Sequence, residues 1–290
     1  MAHQERKKIM KTWKKIVLGV SLISLFLGGG LVAWGYSQGG LTDLQNKTIS
    51  EQDYVKKEVK DFNKIDIKSS SYNVLIKNGD VDKATLSYYQ KTKNPIDTSV
   101  KDGQLTINDN NSELDSTSNK HINFFGLKDL VRLSTLNEEV RNKTIVITLP
   151  KKQTIDFLKV DLATGNLDLS NSTIKQADIN LNVGDLTFTK MIVSNLKANL
   201  DVGSVDSDHT LFTNSDLSIA MGDYSGDNLI FNGHNKLDVT SGDIEIVLKD
   251  YTLNVQADSH SGEVDITNNL KISKDNTLTI TSDLGDITVE

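Results

Sequence analysis

The chain of 290 residues has no cysteine and only two prolines. Without thiols there is no disulfide framework, no thiolate nucleophile, no cysteine zinc site and no lipobox cysteine to acylate. Positive charge is short as well: 32 Lys plus Arg stand against 39 Asp plus Glu, a formal charge of −7. That balance argues against nucleic acid as a partner, because phosphates are met by clustered positive charge. G-x-S-x-G, H-E-x-x-H and Walker-type loops are absent from the sequence, so no motif assigns a catalytic, cofactor-binding or metal-ligating residue. The expectation is a chain that is not an enzyme and carries no cofactor.

The charge is unevenly spread. Residues 1–15 hold Arg6, Lys7, Lys8, Lys11, Lys14 and Lys15 against Glu5 alone, a local charge of +5. Residues 16–36, from Ile16 to Tyr36, carry no charge at all, which leaves −12 for the remainder. A helix of that length rises about 30 Å, the thickness of the hydrocarbon core. Basic residues crowd one flank, and none follows within the next ten positions, so the positive-inside rule keeps the N-terminus in the cytoplasm. Trp13, Trp34 and Tyr36 lie near the ends, where amphipathic rings favour the interface. The organisation predicted is a basic cytoplasmic segment (1–15), a transmembrane signal anchor (16–36), a linker (37–60) and an extracellular body. A cleaved secretory signal ending near Ala33 and Gly35 is the alternative, although its apolar run would be long for one.

What the body does have is a repeat. From Thr164 onward the register recurs on Gly165, Gly184, Gly203, Gly222, Gly242, Gly262 and Gly285, at spacings of 19, 19, 19, 20, 20 and 23. Two residues past each glycine stands Leu167, Leu186, Val205, Tyr224, Ile244, Val264 or Ile287; three past it the residue is polar in every row. Five before each glycine stands Val160, Ile179, Ala198, Leu217, Leu237, Ala257 or Ile280, followed again by a polar residue. This alternation marks strands with one buried face. Each unit therefore reads as strand, glycine bend, strand, connection. A unit of about 20 residues is too short for a βαβ crossover and cannot cover its own apolar face, so units must stack. The predicted fold is all-β, a parallel β-solenoid of such coils over residues 151–290, preceded by one transmembrane helix. A β-sandwich is the alternative.

Residues 61–150 form a less regular N-terminal β region. Strands are expected around Ile65–Ile67, Val74–Ile76, Ala84–Leu86, Leu105–Ile107 and Ile145–Ile147, with an insertion at 109–142. Ile122, Phe124, Phe125, Leu127, Leu130, Val131, Leu133 and Leu136 suggest a short helix that caps the open first rung. A partner or membrane contact through Phe124 and Phe125 is the other reading.

The segment Thr144 to Leu169, TIVITLPKKQTIDFLKVDLATGNLDL, resembles the start of the repeat region of the DUF4097 family, with Leu149-Pro150 and Ser241-Gly242-Asp243-Ile244 matching its pattern most closely. The resemblance extends over residues 62–290. It implies a β-strand repeat domain on bacterial surfaces, adhesin-like and often membrane-tethered near envelope-stress genes, and it carries no catalytic residues to transfer.

The best chemical candidate is the column one residue past the glycine: Asp185, Asp223, Asp243, Glu263 and Asp286, with Asn166 and Ser204 interrupting. Stacking would set neighbours such as Asp223, Asp243 and Glu263 a few ångströms apart, repelling by roughly 1 to 3 kcal/mol per pair. Either the side chains accept N–H groups of the bend, or the row holds divalent cations. His209, His234 and His260 stand at different offsets from their glycines and form no column. The functional expectation is a non-catalytic, membrane-anchored, adhesin-like binding module of the cell envelope, with an envelope protein or surface ligand as partner. An envelope-stress or antimicrobial-peptide accessory is the alternative, and a polysaccharide-active enzyme the third. Because the chain stops inside a strand, end-to-end self-association through that strand is a further expectation.

Overall fold

The structure is a computed structural model that describes residues 52–91, 95–109 and 143–290. The expected basic terminus, the 16–36 anchor and, apart from Asp109, the insertion with Phe124 and Phe125 lie outside the described residues. All regular structure among the described residues is strand, and no helix there is long and apolar enough to cross a membrane.

The seven glycines sit where two strands meet at a corner. Before them run β9 (Phe157–Leu162), β12 (Ala177–Val183), β15 (Leu196–Val202), β18 (Asp216–Met221), β20 (His234–Ser241), β22 (Asn254–Ser261) and β24 (Thr277–Leu284). These form the back sheet. After the glycines run β10 (Leu167–Ser170), β13 (Leu186–Thr189), β16 (Val205–Asp208), β19 (Tyr224–Asn232), β21 (Ile244–Leu248), β23 (Val264–Ile266) and β25 (Ile287–Val289), the front sheet. Every pairing among these strands is parallel, and glycine-aligned residues stand directly opposite one another. The chain is a solenoid, as the repeat predicts.

A third, narrow side ladder was not foreseen. It consists of β8 (Thr154–Ile155), β11 (Thr173–Ile174), β14 (Ile192–Ser194), β17 (Leu211–Thr213) and the far end of β19, which joins it to the front sheet in one fifteen-stranded assembly. A three-sided coil needs two more corners, and both use left-handed backbone. Asn171, Lys190, His209 and Asn228 turn from front to side at φ of 47–55° as a group with Asn195 and Asn214, which turn from side to back. Asparagine tolerates that region because its side chain can bond locally.

Inside the coil the apolar columns meet. Leu167, Leu186, Val205, Tyr224, Ile244 and Ile287 are buried, as are Val160, Ile179, Ala198, Leu217, Leu237 and Ile280. Phe188, Phe212 and Phe231 line up through successive coils, the first pair edge-to-face at a centroid distance of 5.3 Å and the second stacked at 5.8 Å. Burying each such side chain is worth about 1.5 to 3 kcal/mol.

Spatial order departs from chain order at both ends. The last coil to be laid down, β24 and β25, lies between β20–β21 and β22–β23: β24 pairs with both β20 and β22, and β25 with both β21 and β23. The C-terminal strand is therefore enclosed, not terminal, which overturns the expectation of an uncapped end at Glu290; among the described residues, the free edge at this end belongs to β22 and β23. At the other end, β2 (Lys64–Ser69) and β3 (Asn73–Gly79) stack directly on β9 and β10, while β6 (Gln104–Asn108) and β7 (Thr144–Pro150) stack on their outer side. That outer rung is itself covered by antiparallel strands: β5 (Asp97–Lys101) on β6, β4 (Thr85–Lys91) on β7, and β1 (Gln52–Glu58) on β4. The edge that the insertion was expected to cap is thus closed by β4 and β5. β1 also lies within the stretch read as linker.

Candidate binding face

The glycine corner is dictated by backbone contact. Six of the seven glycines, all but Gly262, have φ between 142° and 151°. A Cβ at Gly184, Gly203, Gly222, Gly242 or Gly285 would fall 1.9 to 2.1 Å from the carbonyl oxygen of the glycine stacked beneath it. Only a residue without a side chain lets successive backbones approach this closely.

Next to this corner runs a side-chain ladder. Asn166 N–H donates to Asn73 Oδ1 (2.9 Å), Asp185 N–H to Asn166 Oδ1 (3.0 Å) and Ser204 N–H to Asp185 Oδ1 (3.0 Å). Asp223 N–H donates to Ser204 Oγ (3.4 Å) and Asp243 N–H to Asp223 Oδ1 (2.9 Å). Asp286 N–H donates to Asp243 Oδ1 and Glu263 N–H to Asp286 Oδ1, both at 2.8 Å. The four aspartate side chains thus accept from N–H groups, but those of the neighbouring coil, not of their own bend. Charge-assisted bonds of this kind offset the repulsion along the column. The assumed neighbours need correcting: Asp243 is followed by Asp286, and Glu263 comes after it, because the last two coils exchange places. Asn73 extends the ladder and was missed, since its coil has Tyr72 where the others have glycine.

The two broad faces differ in charge. On the back sheet one outward column reads Asp66, Lys159, Asp178, Lys197, Asp216, Lys236, each directly opposite the next. A second column carries Asp161, Asn180 and Asn199, joined by Asn180 Nδ2 to Asp161 Oδ1 (3.0 Å) and Asn199 Nδ2 to Asn180 Oδ1 (2.9 Å). Lys159 also reaches Asp161 at 3.8 Å, and Lys236 donates to Asp238. The front sheet has no such balance. From β10 to β25 its strands contain no lysine or arginine, while Asp206, Asp208, Asp227, Glu245 and Asp265 point outward beside the acidic corner.

One front-face carboxylate stands apart. Asp168, three past Gly165, was expected on the solvent face but is 2% exposed, between Leu75 and Thr187 in the register. Its Oδ1 and Thr187 Oγ1 have no hydrogen-bond partner. Loss of hydration pushes its pKa up to about 6, with Lys77 nearby opposing the shift. Burial likewise raises the Tyr224 phenol, which donates to Ser207 Oγ at 3.3 Å.

The histidines do not converge. His234 Nδ1 contacts Thr277 Oγ1 at 3.0 Å, and His260 is exposed on β22. His209 holds a left-handed corner with Nδ1 2.6 Å from Asp208 Oδ1, and Asp227 of the next coil brings its carboxylate into the same group, all within 4.8 Å. Those three could offer one nitrogen and two oxygens to a cation. The cluster is visible in sequence only once His209 is placed in the corner column of Asn171, Lys190 and Asn228.

No curated protein matches the chain. Among solved structures, a protein from Bacteroides fragilis described as a "putative adhesin" is similar at 16% identity, covering 83% of this chain and 97% of its own, with a TM-score of 0.43. A "putative cell adhesion protein" from Clostridium sporogenes is 16% identical over 82% of this chain and 99% of its own, with a TM-score of 0.32. A "putative lipid binding protein" from Parabacteroides distasonis is 13% identical over 83% and 98%, with a TM-score of 0.38. The family model Toastrack DUF4097 matches residues 62–290, from the first buried aromatic of the β region to the last residue. The chain belongs to the Toastrack DUF4097 family.

Proposed function

We propose that this protein is a non-catalytic, adhesin-like binding module of the bacterial cell envelope, tethered by its 16–36 segment with the β-solenoid outside the membrane. The observation that carries the reading is the charge asymmetry of the two faces. The back sheet alternates aspartate with lysine along one column, and Lys159 and Lys236 of that column pair with Asp161 and Asp238 beside it, whereas the front sheet and glycine corner expose carboxylates with no cationic residue in the strands from β10 onward. An unbalanced field on one side draws a basic or cation-bearing ligand to that side. The names of the similar structures and the family resemblance agree with a surface module.

The test is binding of envelope extracts or candidate surface ligands to the immobilised protein, compared with Asp227→Lys/Glu245→Lys. Loss of retention at low salt in the variant, with unfolding unchanged, supports the front face. Equal retention by both proteins overturns it. The same acidic face favours a second reading, an envelope-stress or antimicrobial-peptide accessory, since cationic peptides are ligands of the required charge. Deletion would then alter antimicrobial susceptibility without loss of adhesion. A polysaccharide-active enzyme has less behind it, because the carboxylates of the corner ladder are committed to backbone N–H groups. Turnover of a cell-wall polymer by the purified protein would reverse that judgement.

A further inference from the structure

Among the described residues, β22 and β23 are paired on one side only, by β24 and β25. Their inward positions include apolar residues that are only partly covered: Val255, Ala257 and Ile266 are half-buried, and Val264 is 42% exposed where the same position in the other coils is buried. Asp258, Glu263 and Asp265 are exposed at this end, and neither strand contains a lysine or arginine. The opposite end is built differently. On edge strand β1, Lys57 stands opposite the fully buried Leu86, hence at an inward position, and its ammonium donates to Thr98 of β5. An inward-facing charge on an edge strand blocks further strand addition. The β22–β23 end has no such device.

We propose that the β22–β23 end is a docking edge that takes an extended, basic segment of a partner protein by β-strand addition. The proposal rests on the reading of the molecule as a binding module, but at a different place from the front face. Unpaired N–H and C=O groups of β22 supply the main-chain ladder. Alternate apolar residues of the incoming segment cover Val255 and Ala257, and the intervening basic residues stand beside Asp258. A second copy of this chain fits less well. Back-to-back contact sets Asp258, Glu263 and Asp265 against their own counterparts, and head-to-tail contact buries Lys57 against Val264.

Hydrogen exchange of the full chain in detergent tests this, using a short synthetic peptide of alternating valine and lysine as probe. The expected result is saturable slowing of exchange confined to residues 254–266, no effect of a valine–glutamate peptide, and binding about tenfold weaker for Asp258→Lys/Asp265→Lys. An unchanged melting temperature shows that this variant is folded. Unaltered exchange at 254–266 under saturating peptide overturns the proposal, as does protection spread over the front strands instead. Protection of 254–266 without peptide, in a particle of dimer mass, assigns the end to a second copy and also overturns it. If Asp227→Lys/Glu245→Lys leaves both envelope binding and edge protection intact, the front-face reading fails and the docking edge stands.

Discussion

Gly203→Ala would drive a Cβ into the carbonyl oxygen of Gly184, 2.0 Å away, with only backbone to yield. The expected cost is about 3 kcal/mol or more, read as a large fall in the urea midpoint; a midpoint within error of the parent would refute the contact argument. Lys190 is the converse case, a residue with a side chain at φ 54° where glycine is at ease. Lys190→Gly should leave stability unchanged or raise it by up to about 1 kcal/mol. Asp168 carries a pH signature. Its folded pKa of about 6 lies above the ordinary aspartate value of 3.8, so the folded state binds the proton more tightly. Stability is then highest below the unfolded pKa and falls as pH rises through the window up to the folded value, by about 3 kcal/mol in all. Asp168→Asn should therefore raise the melting temperature at pH 7.5 and lose that advantage near pH 4. Equal effects at the two pH values would mean that the carboxylate is not the cause.

At the level of the strand, opposed side chains set the stacking register. Lys197 stands between Asp178 and Asp216, one on each neighbouring back strand. Lys197→Glu makes three acids in a row and should cost about 1 kcal/mol at low salt, less at high salt, with Asp178→Lys in the same chain restoring most of it. A salt-independent loss would point to packing instead. This column was legible in the sequence, since its members stand six residues before Gly165, Gly184, Gly203, Gly222 and Gly242. The glycine frame and the alternation beside it were legible for the same reason: a contact repeated in every coil leaves the same residue type in every row. The side ladder was not, because strands of two or three residues such as Thr173–Ile174 are too short to show alternation. Nor was the burial of Asp168, whose row position matches that of exposed Glu245.

For the molecule as a whole, the order of the last two coils was beyond the sequence, because Gly262 and Gly285 present the same register to whatever lies beneath them. The structure gives that ambiguity a measurable form. Removing residues 277–290 takes away the only described neighbours of β22 and β23, so exchange protection of 254–266 should disappear while β12 to β18 stay protected. Persistence of protection at 254–266 would mean that this coil can rest directly on β20–β21. The threading also constrains how the protein is made. A solenoid laid down in simple succession could firm up coil by coil as the chain emerges, each new turn resting on a finished one. Here residues 254–266 must wait, unsupported in their final place, until residues 277–290 have followed and slipped in behind them. A chain lacking residues 277–290 would leave β22 and β23 as a loose flap open to proteolysis, so the enclosed strand works as a latch that holds the preceding coil in place.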